Sequence, residues 1–201
     1  MKLYMSLDGN LLKEFNNSRP CIDEIPLELV HPENVNKKSH VVGSIAETFV
    51  YLWLQRLGAT IEGEKSYPIN VTGGYVWRKV GNDIRVEYEN NPLVNYDIVF
   101  FYKDMPFVAE VKAIQLDGYT TRIKKAMTHA RKRFGNDVHL FIFMPLIARD
   151  EQSLRFKRRN MEDIAKRFPN VYCMDSGYSH QDIYSASKRF YVKLNRGLLN
   201  P

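Results

Sequence analysis

Asp97, Glu110 and Lys112 are the residues whose types and spacing can do chemistry in this chain of 201 residues. They lie in Asn95-Tyr96-Asp97-Ile98-Val99-Phe100-Phe101-Tyr102 and Met105-Pro106-Phe107-Val108-Ala109-Glu110-Val111-Lys112, two extended runs joined by Lys103-Asp104. A two-residue turn at Lys103-Asp104 sets Asp97 opposite Glu110, whereas a turn centred one residue later sets it opposite Lys112. Both registers leave all three side chains on one face, because a strand alternates with period two. Cross-strand neighbours on a face have Cβ atoms about 4.5 to 5.5 Å apart. Two carboxylates and an ammonium are thereby gathered within reach of one divalent ion and one water. Phe107, Ala109, Val111 and Ala113 take the other face, as do Ile98 and Phe100, so the hairpin reads as interior. Interior Asp, Glu and Lys are rare unless paired or metal-bound, since desolvating each charge costs several kcal/mol. The plain alternative is a structural ion pair of Glu110 with Lys112 beside a solvated Asp97.

The elements that must position these groups follow from periodicity. Val42, Ile45, Ala46, Phe49, Trp53 and Leu57 recur at helical steps, which predicts a helix from an N-cap at Ser39 to a terminator at Gly58. Glu47 falls at the border of its apolar arc, beside Gly43, Val50 and Leu54, from where it can lean toward the hairpin; taken alone it reads as a solvated helix residue. Short runs over 65–71, 75–80, 84–89, 93–102 and 106–114, split by Gly73-Gly74, Gly81-Asn82-Asp83, Asn90-Asn91-Pro92 and Lys103-Asp104, predict hairpin-joined strands. Residues 75–89 read as a protruding hairpin with Asp83, Glu87 and Glu89 solvated. Its Tyr75, Trp77, Arg78 and Lys79 suit either a grip on nucleic acid or the contact of a homodimer. A helix carrying Ile123, Ala126, Met127, Ala130 and Phe134 and closing at Gly135 precedes a strand, 138–144, buried on both faces and ended by Pro145. A further helix over 151–168, a strand over 171–174 and a helix over 180–190 complete an α/β class with a mixed sheet. Residues 1–38, with a turn at Asp8-Gly9-Asn10, read as an irregular N-terminal arm. One domain is expected over 39–201, with a core at about 40–145 and a C-terminal extension over 146–201.

The formal charge is +6. Between Asp117 and Asp137 stand Arg122, Lys124, Lys125, Arg131, Lys132 and Arg133 with no acid among them, so this one stretch carries the whole excess. A solvated helix face is the usual source of such a run, but a localised excess suits a polyanion such as DNA. Arg155, Lys157, Arg158 and Arg159 are a weaker repeat, diluted by neighbouring acids. Cys21 and Cys173 form no C-x-x-C pair, and the five histidines show no i, i+4 pair, which argues against structural zinc. No apolar run reaches the roughly 18 residues of a membrane span, and Asp8 interrupts any secretory stretch, so an intracellular protein with no membrane partner is expected.

A helix with an acid at Glu47, a meander with Asp97 and Glu110-Val111-Lys112, then a basic helix and a buried strand resemble the PD-(D/E)xK nuclease superfamily over about residues 40–145. The Asp and the Glu-x-Lys are separated by 12 residues, a spacing the family accepts. Tyr96 stands where the nominal pattern has Pro. Arg133-Phe134-Gly135 followed by 138–144 looks most like the archaeal Holliday-junction resolvase branch, although His129 or its neighbour stands where some relatives have Gln. The resemblance implies a restriction-endonuclease-like αβββαβ core with a β-hairpin insertion. It implies that Asp97, Glu110 and the main-chain carbonyl of Val111 hold Mg²⁺ or Mn²⁺, and that Glu47 holds a metal-bound water or a second ion. Lys112 then orients or deprotonates the attacking water, and the reaction is hydrolysis of DNA phosphodiesters leaving a 5′-phosphate, with branched or junction DNA as the expected substrate. The alternative is a noncatalytic DNA-binding protein on the same fold.

Overall fold

A computed structural model describes residues 3–4, 9–112, 119–144 and 151–199. In chain order its elements are β1 (Leu3–Tyr4), α1 (Gly9–Ser18), α2 (Lys38–Leu57), β2 (Thr60–Ile61), β3 (Ile69–Val71), β4 (Tyr75–Val80), β5 (Asp83–Tyr88), β6 (Asn91–Tyr96), β7 (Ile98–Tyr102), β8 (Met105–Val111), α3 (Tyr119–Phe134), β9 (His139–Met144), α4 (Glu151–Arg167), β10 (Val171–Asp175) and α5 (His180–Asn195). Single 3-10 turns occupy Ile22–Glu24, Leu27–Leu29 and Glu64–Ser66.

The central sheet runs β1-β10-β9-β8-β7-β2. Strands β2, β7 and β8 are antiparallel neighbours, β8, β9 and β10 are parallel, and β1 closes the far edge antiparallel to β10. Helix α2, strands β2, β7 and β8, helix α3 and strand β9 therefore follow one another in the expected αβββαβ order, in a mixed α/β fold whose central sheet is flanked by helices. A separate antiparallel sheet, β3-β4-β5-β6, is inserted between β2 and β7.

Alternation along the strands builds two cores. Ile98, Phe100, Phe107, Ala109, Phe141, Phe143 and Met174 pack with α1, α2 and α5. Val99, Val108, Leu140, Ile142 and Cys173 pack with α3, with Met161 of α4 and with the inserted sheet. Helix α2 buries Val42, Ile45, Ala46, Phe49 and Trp53 and stops at Gly58, whose φ of 81° is the left-handed conformation that glycine adopts without strain. It starts one residue before Ser39, with Lys37 rather than Ser39 at the N-cap.

Three expectations change. Residues 1–38 are not an irregular arm: Gly9 and Asn10 open α1, which presents Leu11 and Phe15 four residues apart to the core, while Asp8 lies outside the described residues. Phe15 is stacked on Phe141 and its carbonyl accepts from Trp53 Nε1 at 2.7 Å. Residues 75–89 do not protrude either, because Trp77, Ile84 and Val86 are buried under α3 and the hairpin is half of a four-stranded sheet. The run 93–102 is two strands in two sheets, broken at Asp97. Tyr96 turns into the core, stacking on Trp77 at 5.2 Å and donating its hydroxyl to the Ala126 carbonyl at 2.6 Å. One residue later Ile98 is already paired with Ala109 in the central sheet. Ala113 of the expected hairpin face, Asp117 at the start of the basic stretch and Pro145 after the strand over 138–144 lie outside the described residues.

Candidate active site

Register decides whether the three singled-out residues meet. Lys103 and Asp104 both take left-handed φ values of 50° and 62°, the two-residue turn whose twist matches the flanking strands. Tyr102 then pairs with Met105 and Ile98 with Ala109, which leaves Asp97 at the strand end facing Glu110. Asp97 donates its main-chain N–H to the Ala109 carbonyl at 3.0 Å, and its Oδ2 accepts the N–H of Val111 at 2.5 Å. Lys112 Nζ reaches Glu110 Oε2 at 2.8 Å and Asp97 Oδ2 at 3.6 Å. The sequence places all three on one face, and the fold brings them into contact.

Glu110 is 1% exposed, and the distribution of its partners is uneven. Oε2 accepts from Lys112, from Arg122 at 3.0 Å and from the Tyr119 hydroxyl at 3.1 Å. Oε1 is buried and has no hydrogen-bond partner among the described residues. A carboxylate oxygen left unpaired in a protein interior costs free energy, and a cation is one group that could satisfy it. Hard, anionic oxygens are what Mg²⁺ and Mn²⁺ select. Among the described residues no three Asp, Glu, His or Cys side chains form a ready-made cage. A pair of carboxylates nevertheless suits Mg²⁺, which commonly keeps its waters and binds through one or two carboxylates plus substrate oxygens. Of Val111, the contact that bears on the site is its N–H on Asp97.

Glu47 leans in from α2. Its Oε1 passes over Gly43, 4.0 Å from where a Cβ would stand, and with Asp97 it lines a pocket of about 390 Å³ between α2 and the inserted sheet. Burial, then the Asp97 and Asp83 carboxylates, push Glu47 up to about 7 against the pull of Lys112 and Lys79. Asp97 is raised to about 6, chiefly by burial, with Glu110 adding to the rise and Lys112 opposing it. For Lys112 burial works against the charge, but Asp97 and Glu110 outweigh it and hold the ammonium above its ordinary value. The site is thus a cluster of carboxylates raised by burial around the Lys112 ammonium, which the same carboxylates hold charged.

Several participants carry no sequence signal. Tyr178, in the turn before α5, donates its hydroxyl to the Lys112 carbonyl at 3.0 Å from 66 positions away. Tyr119 looks like an ordinary apolar position of α3. Asp83, expected to be solvated, is half-buried, accepts from Asn95 at 3.0 Å and acts on Glu47 across the pocket. Lys79 also faces the pocket, and burial holds its pKa below the ordinary value.

The basic helix divides. Arg122, Lys124, Lys125, Arg131 and Lys132 are exposed. Arg122 caps Glu110, and Lys132 lies over the Tyr75 ring at 4.1 Å. Arg133 does not belong to the open face: its guanidinium forks onto Glu62 and lies over Trp77 at 4.9 Å, with its side chain 11% exposed. The geometric reason is that position 133 falls beside the apolar stripe, over the inserted sheet. Trp77 is likewise core, so of the two aromatics expected to grip nucleic acid or form a dimer contact only Tyr75 keeps any exposure. No helix among the described residues is long and apolar enough to cross a membrane. No family model matches the chain, and no curated protein and no solved structure shows significant similarity to it.

Proposed function

We propose that the chain is a nuclease that uses Mg²⁺ or Mn²⁺ to hydrolyse DNA phosphodiesters, with branched or otherwise structured DNA as its substrate. The observation that carries this reading is the buried Oε1 of Glu110, without a hydrogen-bond partner among the described residues, beside Asp97, with Lys112 bridging the two carboxylates. Asp97 and Glu110, with the main-chain carbonyl of Val111, would hold the ion. When bound, the ion supplies positive charge that polarises the phosphodiester and eases loss of a proton from the attacking water. Lys112 orients that water and offsets the negative charge that develops on the phosphoryl oxygens. Glu47, half-ionised near neutrality, can hold or release a proton at its carboxylate. The Val111 N–H, the Tyr119 hydroxyl and Arg122 fix the carboxylates so that they need not reorganise during the reaction. Arg122, Lys124, Lys125, Arg131 and Lys132 supply phosphate contacts that carry no sequence information.

The test is incubation of the chain with linear, flapped and four-way DNA, with Mg²⁺, with Mn²⁺ and in EDTA. Metal-dependent cleavage of the flapped or four-way forms, absent in Asp97→Ala, is the expected result. Intact DNA with both metals overturns the reading. The ion pair of Arg122 with Glu110 favours a second reading, in which the carboxylate is a structural partner and the protein binds DNA without cutting it. Binding with no cleavage under any of these conditions selects that one.

A further inference from the structure

We propose that the pocket beside Asp97 receives one unpaired nucleotide of the strand to be cut, so that the substrate is a single strand or the unpaired arm of a branched DNA rather than an intact duplex. The identity of the strand as DNA rests on the nuclease reading above.

One wall of the pocket is a second stripe on α2. Ser44, Glu47, Thr48, Tyr51 and Gln55 recur at three and four residue steps, as the core stripe does, but they face the pocket instead of the sheet. The hydroxyl of Thr48 is already committed to the Ser44 carbonyl at 2.8 Å, which leaves Glu47, Tyr51 and Gln55 as the reactive surface of that wall. The facing wall comes from the β4–β5 turn and the strands beside it: Lys79, Asn82 and Ile84. Asn82 donates its Nδ2 to the His31 carbonyl at 2.7 Å, which leaves its Oδ1 as a fixed acceptor. Tyr51 and Leu29 stand at the rim of the pocket 38% and 52% exposed, an aromatic and an aliphatic face open to an incoming group. Aromatic and aliphatic faces opposed to a few fixed polar groups are the chemistry that seats a nucleobase by stacking and by its edge.

Size and place narrow the occupant. A volume of about 390 Å³ lies in the lower part of the range of small-ligand pockets, roughly 300–1,000 Å³. It has room for a base and its sugar but none for a duplex, whose major groove alone is about 12 Å wide. Asp97 belongs both to this pocket and to the carboxylate pair with Glu110, so a nucleotide seated here brings its adjoining phosphate to the carboxylates. Lys79 lies on the same side to meet that phosphate. Drawing a base out of an intact duplex costs a few kcal/mol, and the cost is least where the base is already unpaired. The pocket therefore selects DNA by pairing state.

The experiment uses oligonucleotides carrying 2-aminopurine at one position, as a single strand, as a 5′ flap and as a full duplex, titrated with the whole chain in EDTA. The single strand and the flap should bind more tightly than the duplex and change the 2-aminopurine emission on binding. Tyr51→Ala, which removes the stacking face, and Gln55→Trp, which fills the mouth, should each abolish the emission change. Each should also weaken binding of the unpaired probes by roughly 5- to 150-fold, the loss of one stacked base. Duplex affinity, carried by the basic helix, should stay constant in both variants. Equal affinity for the three forms, or an emission change that survives in both variants, overturns the proposal. Failure of the nuclease reading is recorded separately, as absence of cleavage of the same oligonucleotides when Mg²⁺ or Mn²⁺ replaces EDTA.

Discussion

Asp97, Glu110 and Lys112 are tied together by short contacts, yet each should fail differently when removed. Asp97→Ala and Glu110→Ala should abolish cleavage and divalent-ion binding measured calorimetrically. Their affinity for DNA in EDTA should hold or rise, because a charge that repels phosphate has gone; retained metal-dependent activity in both variants sinks the assignment. Lys112→Ala should still bind the ion while turnover drops by about 10² to 10⁴, the range for a positioned proton-transfer group. Glu47 gives the site a pH signature of its own. Burial pushes its carboxyl from the ordinary 4.5 up to about 7 in the folded chain, so the stability it contributes is complete below about 4.5 and is lost as pH rises through 7. Asp97, raised to about 6, acts in the same direction. Urea unfolding in EDTA should therefore show the wild-type chain weakening between pH 5 and pH 8. Glu47→Gln should remove about 3 kcal/mol of that weakening, by the free energy of one pKa unit applied to its shift. A variant whose stability falls with pH as steeply as the wild type contradicts the buried-carboxyl account.

Helix α3 holds two kinds of arginine and lysine, and salt separates them. Lys124 and Arg131 are exposed and seven residues apart, hence on one face. Replacing both by Ala should weaken binding to all DNA sequences alike and flatten the plot of log affinity against log salt by roughly 0.9 per contact. Folding stability should stay within a few tenths of a kcal/mol, as expected of exposed charges. Arg133→Ala should do the reverse. It leaves Glu62, 10% exposed, without its guanidinium, which costs about 3 kcal/mol or more of stability, and the salt slope should not move. The place of Arg133 beside the α3 stripe is legible in the period that sets it apart from Lys132, but the partner that claims it, Glu62, is 71 positions away and is not. The same boundary separates what could be read elsewhere. The α2 and α3 stripes, the shared face of Asp97 and Glu110 and the parallel strand β9 rest on local period, and periodicity shows them. The break at Asp97 does not, since Val94 to Phe100 is one continuous β-forming run whose division depends on which sheet each half joins. The burial of Trp77 is hidden for a related reason, since a lone hairpin gives no sign that α3 lies over it.

At the scale of the molecule, the two cores are joined through the central sheet, and α1 belongs to the first of them. Phe15 is fully buried among Trp53, Tyr102 and Phe141, so Phe15→Ala should cost about 3 to 5 kcal/mol. Chemical denaturation followed by tryptophan fluorescence measures this, Trp53 being at the edge of the cavity; a loss below 1 kcal/mol would restore the picture of a detachable arm. The placement of β1 has a further consequence, which concerns time. Its two residues are an edge strand whose single neighbour in the sheet is β10, with Leu3 opposite Met174 and Tyr4 opposite Cys173. A chain made from its N-terminus has no surface on which to lay those residues until the strand Val171–Asp175 has been synthesised and paired with β9. Contacts of such sequence separation form slowly, because the intervening loop must close first. Made well before β10, Leu3 and Tyr4 thus take their place only after it, and until they do the nascent chain carries β10 as an open, hydrogen-bonding edge.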